Sequence, residues 1–437
     1  MLNRPAVLAA WKTELATPSA AFFDAFAACV RDPDGPRDAA REALKTLIPA
    51  VDWAGYLPHL PAGLLGCWGV WRLRPLLAED SFLRLLAIQL HAFAHEARKP
   101  GGVLAATGRG SGSWANIDAA VATRRPSLAY GEALGIEEPT TENFRRLLGM
   151  GAADMACTGL KGSAPWFLGD LWERLDRPKA TGRRLLAIGA WLVASEPADR
   201  FWNQRAAVRL KDDPPRIDEG PARFPGGHPE AAREICDLGL VALLDAFCGR
   251  MKGGWTAGDL LSALTLAAAE KLLDARRDLE GKTSGTLVYL AALARGLTPL
   301  QRPEPFAQAA ALVNLFPTDD AADRVRPRPP GQPTRLLDAI LDAEPREAMH
   351  LAAQLGAAQG EEAVLRALAE AASWNDPAFN HSSQVLAVAG AAELLPRLTE
   401  AARSALLVAL AKSLANSQGS GDLGRRAEQA LRRPATI

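Results

Sequence analysis

Six histidines stand in a chain of 437 residues, and a neutral imidazole is a good ligand for a transition metal. His91 and His95, in "SFLRLLAIQLHAFAHEARK", are four residues apart, which puts both rings on one face of a helix. The spacing suits two-point binding of a metal. It is not the HExxH arrangement, because Ala92 follows His91 and the carboxylate, Glu96, comes after the second histidine. A packed or surface histidine remains the plainer reading of either ring. His59 lies in "YLPHLPAGLLG", His350 follows "EPREAM", and His228 sits in the Pro/Gly-rich "FPGGHP", where solvation is expected.

His381 raises the sharpest question. It belongs to the polar stretch "NHSS" that opens the apolar run "QVLAVAGAAELL". Asn380 and Ser382 are good helix caps, so a histidine adds nothing that the helix start requires. The helix dipole there disfavours a protonated ring, leaving the neutral form that binds metals. His381 is therefore expected to point into a cavity and to share a metal with His350, completed by His91 or His59. Trp374 and Phe379, close by in sequence, would line an apolar substrate pocket. Lys282 opens another apolar helix in "GKTSGTLVYLAALARGL"; it is either a snorkelling surface lysine or, if buried and neutral, a further ligand.

The elements that must position these residues are helices. "TENFRRLLGMGAADMA", "GRRLLAIGAWLVASE", "GDLLSALTLAAAEKLLDARRD" and "EAARSALLVALAKSLANS" carry apolar residues at helical spacing, with Arg, Glu, Lys and Gln between them. No convincing strand pair occurs, and the expected fold is all-α, helical hairpins stacked in two halves. Prolines and glycines punctuate "KDDPPRIDEGPARFPGGHP" (211–229) and "RVRPRPPGQPT" (324–334), both expected to be irregular. The first divides the chain into an N-terminal helical region (1–210) and a C-terminal one (230–437). "AATGRGSGSWANID" (105–118) reads as a loop; its glycines suggest a phosphate cradle, but no GK[ST] follows and no strand precedes it. "LLDA" at 243–246 and 336–339, each followed by an Ala/Leu helix, a polar break and an apolar helix, points to two related repeats at 240–300 and 336–400. Their alignment sets Lys282 opposite His381.

The pattern "EAMH" … "DPAFNHSSQVLAVAGAAEL", with its forerunner ending "GKTSGTLVYLAALA", resembles the questin oxidase-like proteins and related Rieske-associated all-helical proteins. That resemblance covers the last 200 residues or so and implies paired helical repeats that each present a histidine after a polar break. It also implies a non-haem iron centre held by several histidines, in one relative with a carboxylated lysine, and oxidative ring opening of aromatic polyketides. On it His350 and His381 match the C-terminal histidines, and His59 matches a histidine of the N-terminal segment. The chain departs from the pattern at Gln384, where relatives carry a lysine, and at Lys282, where a histidine is expected.

Composition sets the outer bounds. Lys+Arg and Asp+Glu number 50 each and are interspersed, which argues against a nucleic-acid partner. Five scattered cysteines with no CxxC pair suggest reduced, buried thiols in a cytoplasm. The longest apolar runs are too short to cross a membrane. Two readings follow. One is a non-haem metal-dependent oxidoreductase, with iron as cofactor if any, acting on a bulky hydrophobic small molecule. The other is a non-catalytic HEAT-like helical scaffold binding a protein partner, with the eleven tryptophans supplying packing and anchors.

Overall fold

Leu and Ala at three- and four-residue spacing leave the chain little choice but helix, and stacking those helices is how each buries its apolar stripe. The computed structural model describes residues 4–51, 62–97, 108–152, 160–195, 210, 214–274, 282–297, 301–315, 335–374, 377, 382–419 and 421–433. Over these residues the protein is all-α, without a strand. The first ten helices are α1 (Arg4–Ala16), α2 (Phe22–Cys29), α3 (Gly35–Leu47), α4 (Ala62–Leu73), α5 (Glu79–Glu96), α6 (Trp114–Ala122), α7 (Pro126–Gly135), α8 (Thr141–Ala152), α9 (Leu160–Arg174) and α10 (Lys179–Ser195). Then follow α11 (His228–Asp237), α12 (Leu240–Lys252), α13 (Ala257–Asp274) and α14 (Lys282–Ala292), the last continued by a π-helical turn, Leu293–Leu297. The chain ends in α15 (Glu304–Asn314), α16 (Leu336–Leu341), α17 (Pro345–Gln359), α18 (Glu361–Ala372), α19 (Ser383–Leu394), α20 (Glu400–Asn416) and α21 (Asp422–Arg432).

The punctuated stretches behave unevenly. Residues 214–224 are irregular, but Pro225–Gly227 form a 3-10 turn and α11 already begins at His228, inside the expected linker. Residues 324–334 lie outside the described residues. Of the glycine-rich stretch, 108–113 are irregular, while Trp114–Asp118 belong to α6, whose N-terminus is capped by the Ser113 side chain. A capping serine outweighs the glycines before it.

Helix α19 has a buried face on every side, as a run with Glu393 as its one charge must. It packs on α4, α14, α18 and α20. Likewise α21 covers α5 and α2, and α14 rests on α9, so C-terminal helices complete the core begun by N-terminal ones. The two apolar helices that the expected repeat pairs, α14 and α19, pack directly on each other, and the Ala/Leu helices before them, α13 and α18, both lean on α20.

Helix α4 carries "GLLGCWG", which sets Gly63, Gly66 and Gly69 three residues apart. The first two face α5: a Cβ on Gly63 would meet the Phe93 backbone N at 2.4 Å, and one on Gly66 the Gln89 side chain. Gly69 faces α19, where a Cβ would stand 2.7 Å from Val385 Cγ1. Gly149 in α8, by contrast, has nothing within 4 Å of such a Cβ. Gly63→Ala is therefore expected to lower stability by about 1–3 kcal/mol through overpacking. Gly149→Ala should raise it by about 0.5–1 kcal/mol through helix propensity. Urea denaturation of both variants against the parent measures the contrast.

A candidate metal-binding histidine pair

The last turns of α5 hold His91 and His95 with their Nε2 atoms 3.1 Å apart and their ring centroids 4.4 Å apart. Residues above and below fix the first ring. His91 stacks on Phe23 (centroids 5.1 Å, planes 19° apart) and meets the edge of Phe22 at 5.0 Å, so α2 presses the imidazole toward its neighbour. Arg426 of α21 lies over Phe23, 5.3 Å from the ring. His91 is half-buried and His95 exposed, which leaves the pair reachable from solvent.

Two further contacts fasten other segments to this end of α5. Glu96 accepts hydrogen bonds from Ala62 N (3.0 Å, Oε1) and Gly63 N (2.9 Å, Oε2), capping α4 from outside. Fully buried Gln89 accepts through Oε1 from the Ser382 hydroxyl at 2.6 Å, while its Nε2 is buried without a partner. Ser382 therefore does not cap α19. It sits in the left-handed region (φ 63°) with its hydroxyl spent on α5, contrary to the capping role that its position suggests. Helix α19 proper starts one residue later, at Ser383.

Of the remaining histidines, His228 and His350 lie among the described residues. His350 is exposed on α17, its Nε2 2.7 Å from Gln354 Nε2, and α17 packs on α16, α18 and α20. Helix α5 packs on α4, α21 and α1–α3, so the fold does not bring His350 to His91. His59, His381 and Phe379 lie outside the described residues, and Lys282 opens α14 with its side chain outside them. Trp374 is half-buried under the Arg84 guanidinium, 3.9 Å from its ring centroid. Among the described residues no group of three or more His, Cys, Asp or Glu side chains could hold a metal.

His228 is buried rather than solvated. Its Nε2 lies 2.9 Å from Asp259 Oδ1, and the Trp255 ring meets its edge. Asp259 also accepts from Arg223 N, Phe224 N and Thr256 N and Oγ1, so one carboxylate stitches the irregular segment to the start of α13. Burial opposes its ionisation, yet the Phe224 N–H, His228 and the other donors outweigh that and hold the carboxyl below its usual range. The glycine-rich loop is filled in the same way. Glu132 of α7 accepts from Ser111 Oγ (2.8 Å) and Ser113 N (3.2 Å), so the chain's own carboxylate occupies the cradle that a phosphate would use.

A third knot joins four elements. Asp170 of α9 accepts from Trp68 Nε1 (3.0 Å), Arg72 (3.3 Å) and Arg174 (3.1 Å), and Glu393 of α19 pairs with Arg72 and with Arg295 (3.1 Å). Burial pushes the Asp170 carboxyl up, to about 7, against the Trp68 indole N–H. With three donors already on it, this carboxyl ties helices together rather than facing a substrate. The described cysteines, Cys29, Cys67, Cys236 and Cys248, form no disulfide with one another, and burial pushes Cys29 and Cys236 up to about 12, too high for a reactive thiolate. No described helix is long and apolar enough to cross a membrane.

A scan against family models found no match, and neither the curated proteins nor the solved structures gave one.

Sequence reasoning missed the surroundings of the histidine pair: Phe22 and Phe23, which wedge His91, and Gln89, the anchor of Ser382. Both phenylalanines read as ordinary core in "FFDAFAACV", and a glutamine two residues before a histidine carries no signal of its own. The pH response of the Asp259 clamp has a fixed sign. A carboxyl held below its unfolded value stabilises the fold above the ordinary carboxylate range, about 3.9, and loses that contribution as pH falls through its folded value. Wild-type stability should fall below about pH 4 more steeply than that of Asp259→Asn, itself weaker at pH 7 by about 3 kcal/mol. Urea midpoints measured from pH 7 to pH 3 decide it.

Proposed function

We propose that the protein holds a transition metal at the end of α5 and works as a non-haem metal-dependent oxidoreductase on a bulky hydrophobic substrate. The observation that carries this is the 3.1 Å between His91 Nε2 and His95 Nε2. Two nitrogens about 2.0–2.1 Å from one ion stand about 2.8–3.4 Å apart for angles between square and tetrahedral, so the pair fits a shared metal. Neutral imidazoles suit iron(II), which agrees with the resemblance of the C-terminal sequence to questin oxidase-like proteins.

Two histidines rarely suffice. Chain connectivity offers two more: Ser382, which follows His381, is fastened to Gln89, and Ala62, three residues after His59, is fastened to Glu96. Consecutive Cα atoms are about 3.8 Å apart, and one peptide bond separates His381 from Ser382 and three separate His59 from Ala62. His59 and His381 are the ligands proposed to complete the set, while His350, committed to Gln354 on α17, is left out of it. An iron so held would supply redox chemistry with dioxygen. The protein's part is to keep His91 oriented between Phe22 and Phe23 and to leave His95 open to solvent.

Elemental analysis of protein purified without added metal should find iron or another first-row metal near one per chain. His91→Ala and His95→Ala should lose it, with affinity down at least about 100-fold, and His350→Ala should keep it. Binding should weaken on acidification, because the ligating imidazoles must be neutral. Metal-free protein that also takes up no iron(II), cobalt(II) or zinc(II) on titration would overturn the proposal and leave the helical scaffold in its place.

A further inference from the structure

A groove of about 370 Å³ lies far along the chain from the histidine pair, between the irregular segment 219–222, the first turns of α13, the π-helical turn and the residues 396–399 before α20. Its apolar lining is small and aliphatic: Ala222, Ala257, Leu261, Ala294 and Leu398, with no aromatic ring. Three polar side chains border it. Glu219 stands on the irregular segment and Arg397 just before α20, both lining the same groove, and neither side chain has an ion-pair or hydrogen-bond partner among the described residues. Neighbouring Arg223 pairs with Asp218, so it does not neutralise Glu219. Thr399 Oγ1 is buried without a partner and does not cap α20, although Thr399 holds the N-cap position.

Each feature narrows the occupant. Single unpaired charges of opposite sign on one groove disfavour a polyanion, which would want clustered cations, and equally a polycation. An aliphatic lining without aromatic rings offers no aromatic stacking partner to a planar ligand. A volume near the lower end of ligand pockets, about 300–1,000 Å³, excludes a folded partner. We propose that the groove binds the two charged ends of a short aliphatic peptide, its ammonium on Glu219, its carboxylate on Arg397 with the Thr399 hydroxyl, and its methyl groups on the alanine and leucine lining. The site is independent of the proposed metal: the helices that α5 packs on, α1–α4 and α21, contribute no residue to the groove.

Ligand-observed NMR titration of the full chain with trialanine, N-acetyl-trialanine, trialanine amide and alanine tests this. Trialanine should bind most tightly, and blocking either end should weaken binding about tenfold, the loss of one charge-assisted contact. Glu219→Gln should abolish the penalty of N-acetylation alone, and Arg397→Gln the penalty of amidation alone, both with unchanged melting temperature because these side chains support nothing else. Equal affinity for blocked and free peptides, no binding of trialanine, or alanine binding as tightly as trialanine would each overturn the assignment.

Discussion

Everything at the end of α5 depends on how closely α4 can approach it. Gly63 and Gly66 let the two backbones come together at Phe93 and Gln89, and Gly69 does the same for α19 at Val385. A single Cβ at these places would push α4 outward, and packed interiors transmit such shifts rather than absorb them. The close approach has a chemical consequence. It brings the N-terminus of α4 to Glu96, which caps it, and sets Gln89 where Ser382 can reach it. The register of three helices and the setting of His91 and His95 are thus one packing solution.

The polar interactions of the interior do a different job from the glycines. Arg72, Asp170, Arg174, Glu393 and Arg295 form a charged knot among α4, α9, α19 and the π-helical turn. Buried ion pairs add little net stability compared with apolar packing, but breaking one is costly, so such a knot disfavours arrangements that separate its members. The wider turn of the π-helical stretch suits the need to bring Arg295 to Glu393. Asp259 and Glu132 act alike at smaller scale, each holding an irregular segment against a helix through several donors.

Periodicity made the helices legible, since apolar spacing over a dozen residues is a property of the chain itself. The i, i+4 relation of His91 and His95 was legible for the same reason, and the structure brings those rings together. Long-range placement was not legible. His350 shares sequence context with His381, yet it lies exposed on α17, because the face a helix presents is decided by its neighbours. His228 shows the converse: proline and glycine around it suggested solvent, but a carboxylate 31 positions away draws it inside. The groove, too, is built from three segments distant in sequence, and nothing in any one of them marks it.

Local rules failed most instructively before α19. Asn380, His381 and Ser382 look like capping chemistry, and the capping argument treats the helix start as a local problem. Ser382 shows that it is a tertiary one. Its backbone is in the left-handed region, which costs a non-glycine residue free energy, and its hydroxyl is turned away from the helix to Gln89 of α5. A serine strained in that way is held by what surrounds it, so Ser382 answers to α5 rather than to the helix that it opens. The scarcity of histidine in such a stretch is then a question about the neighbourhood of α5, where His91 and His95 already stand.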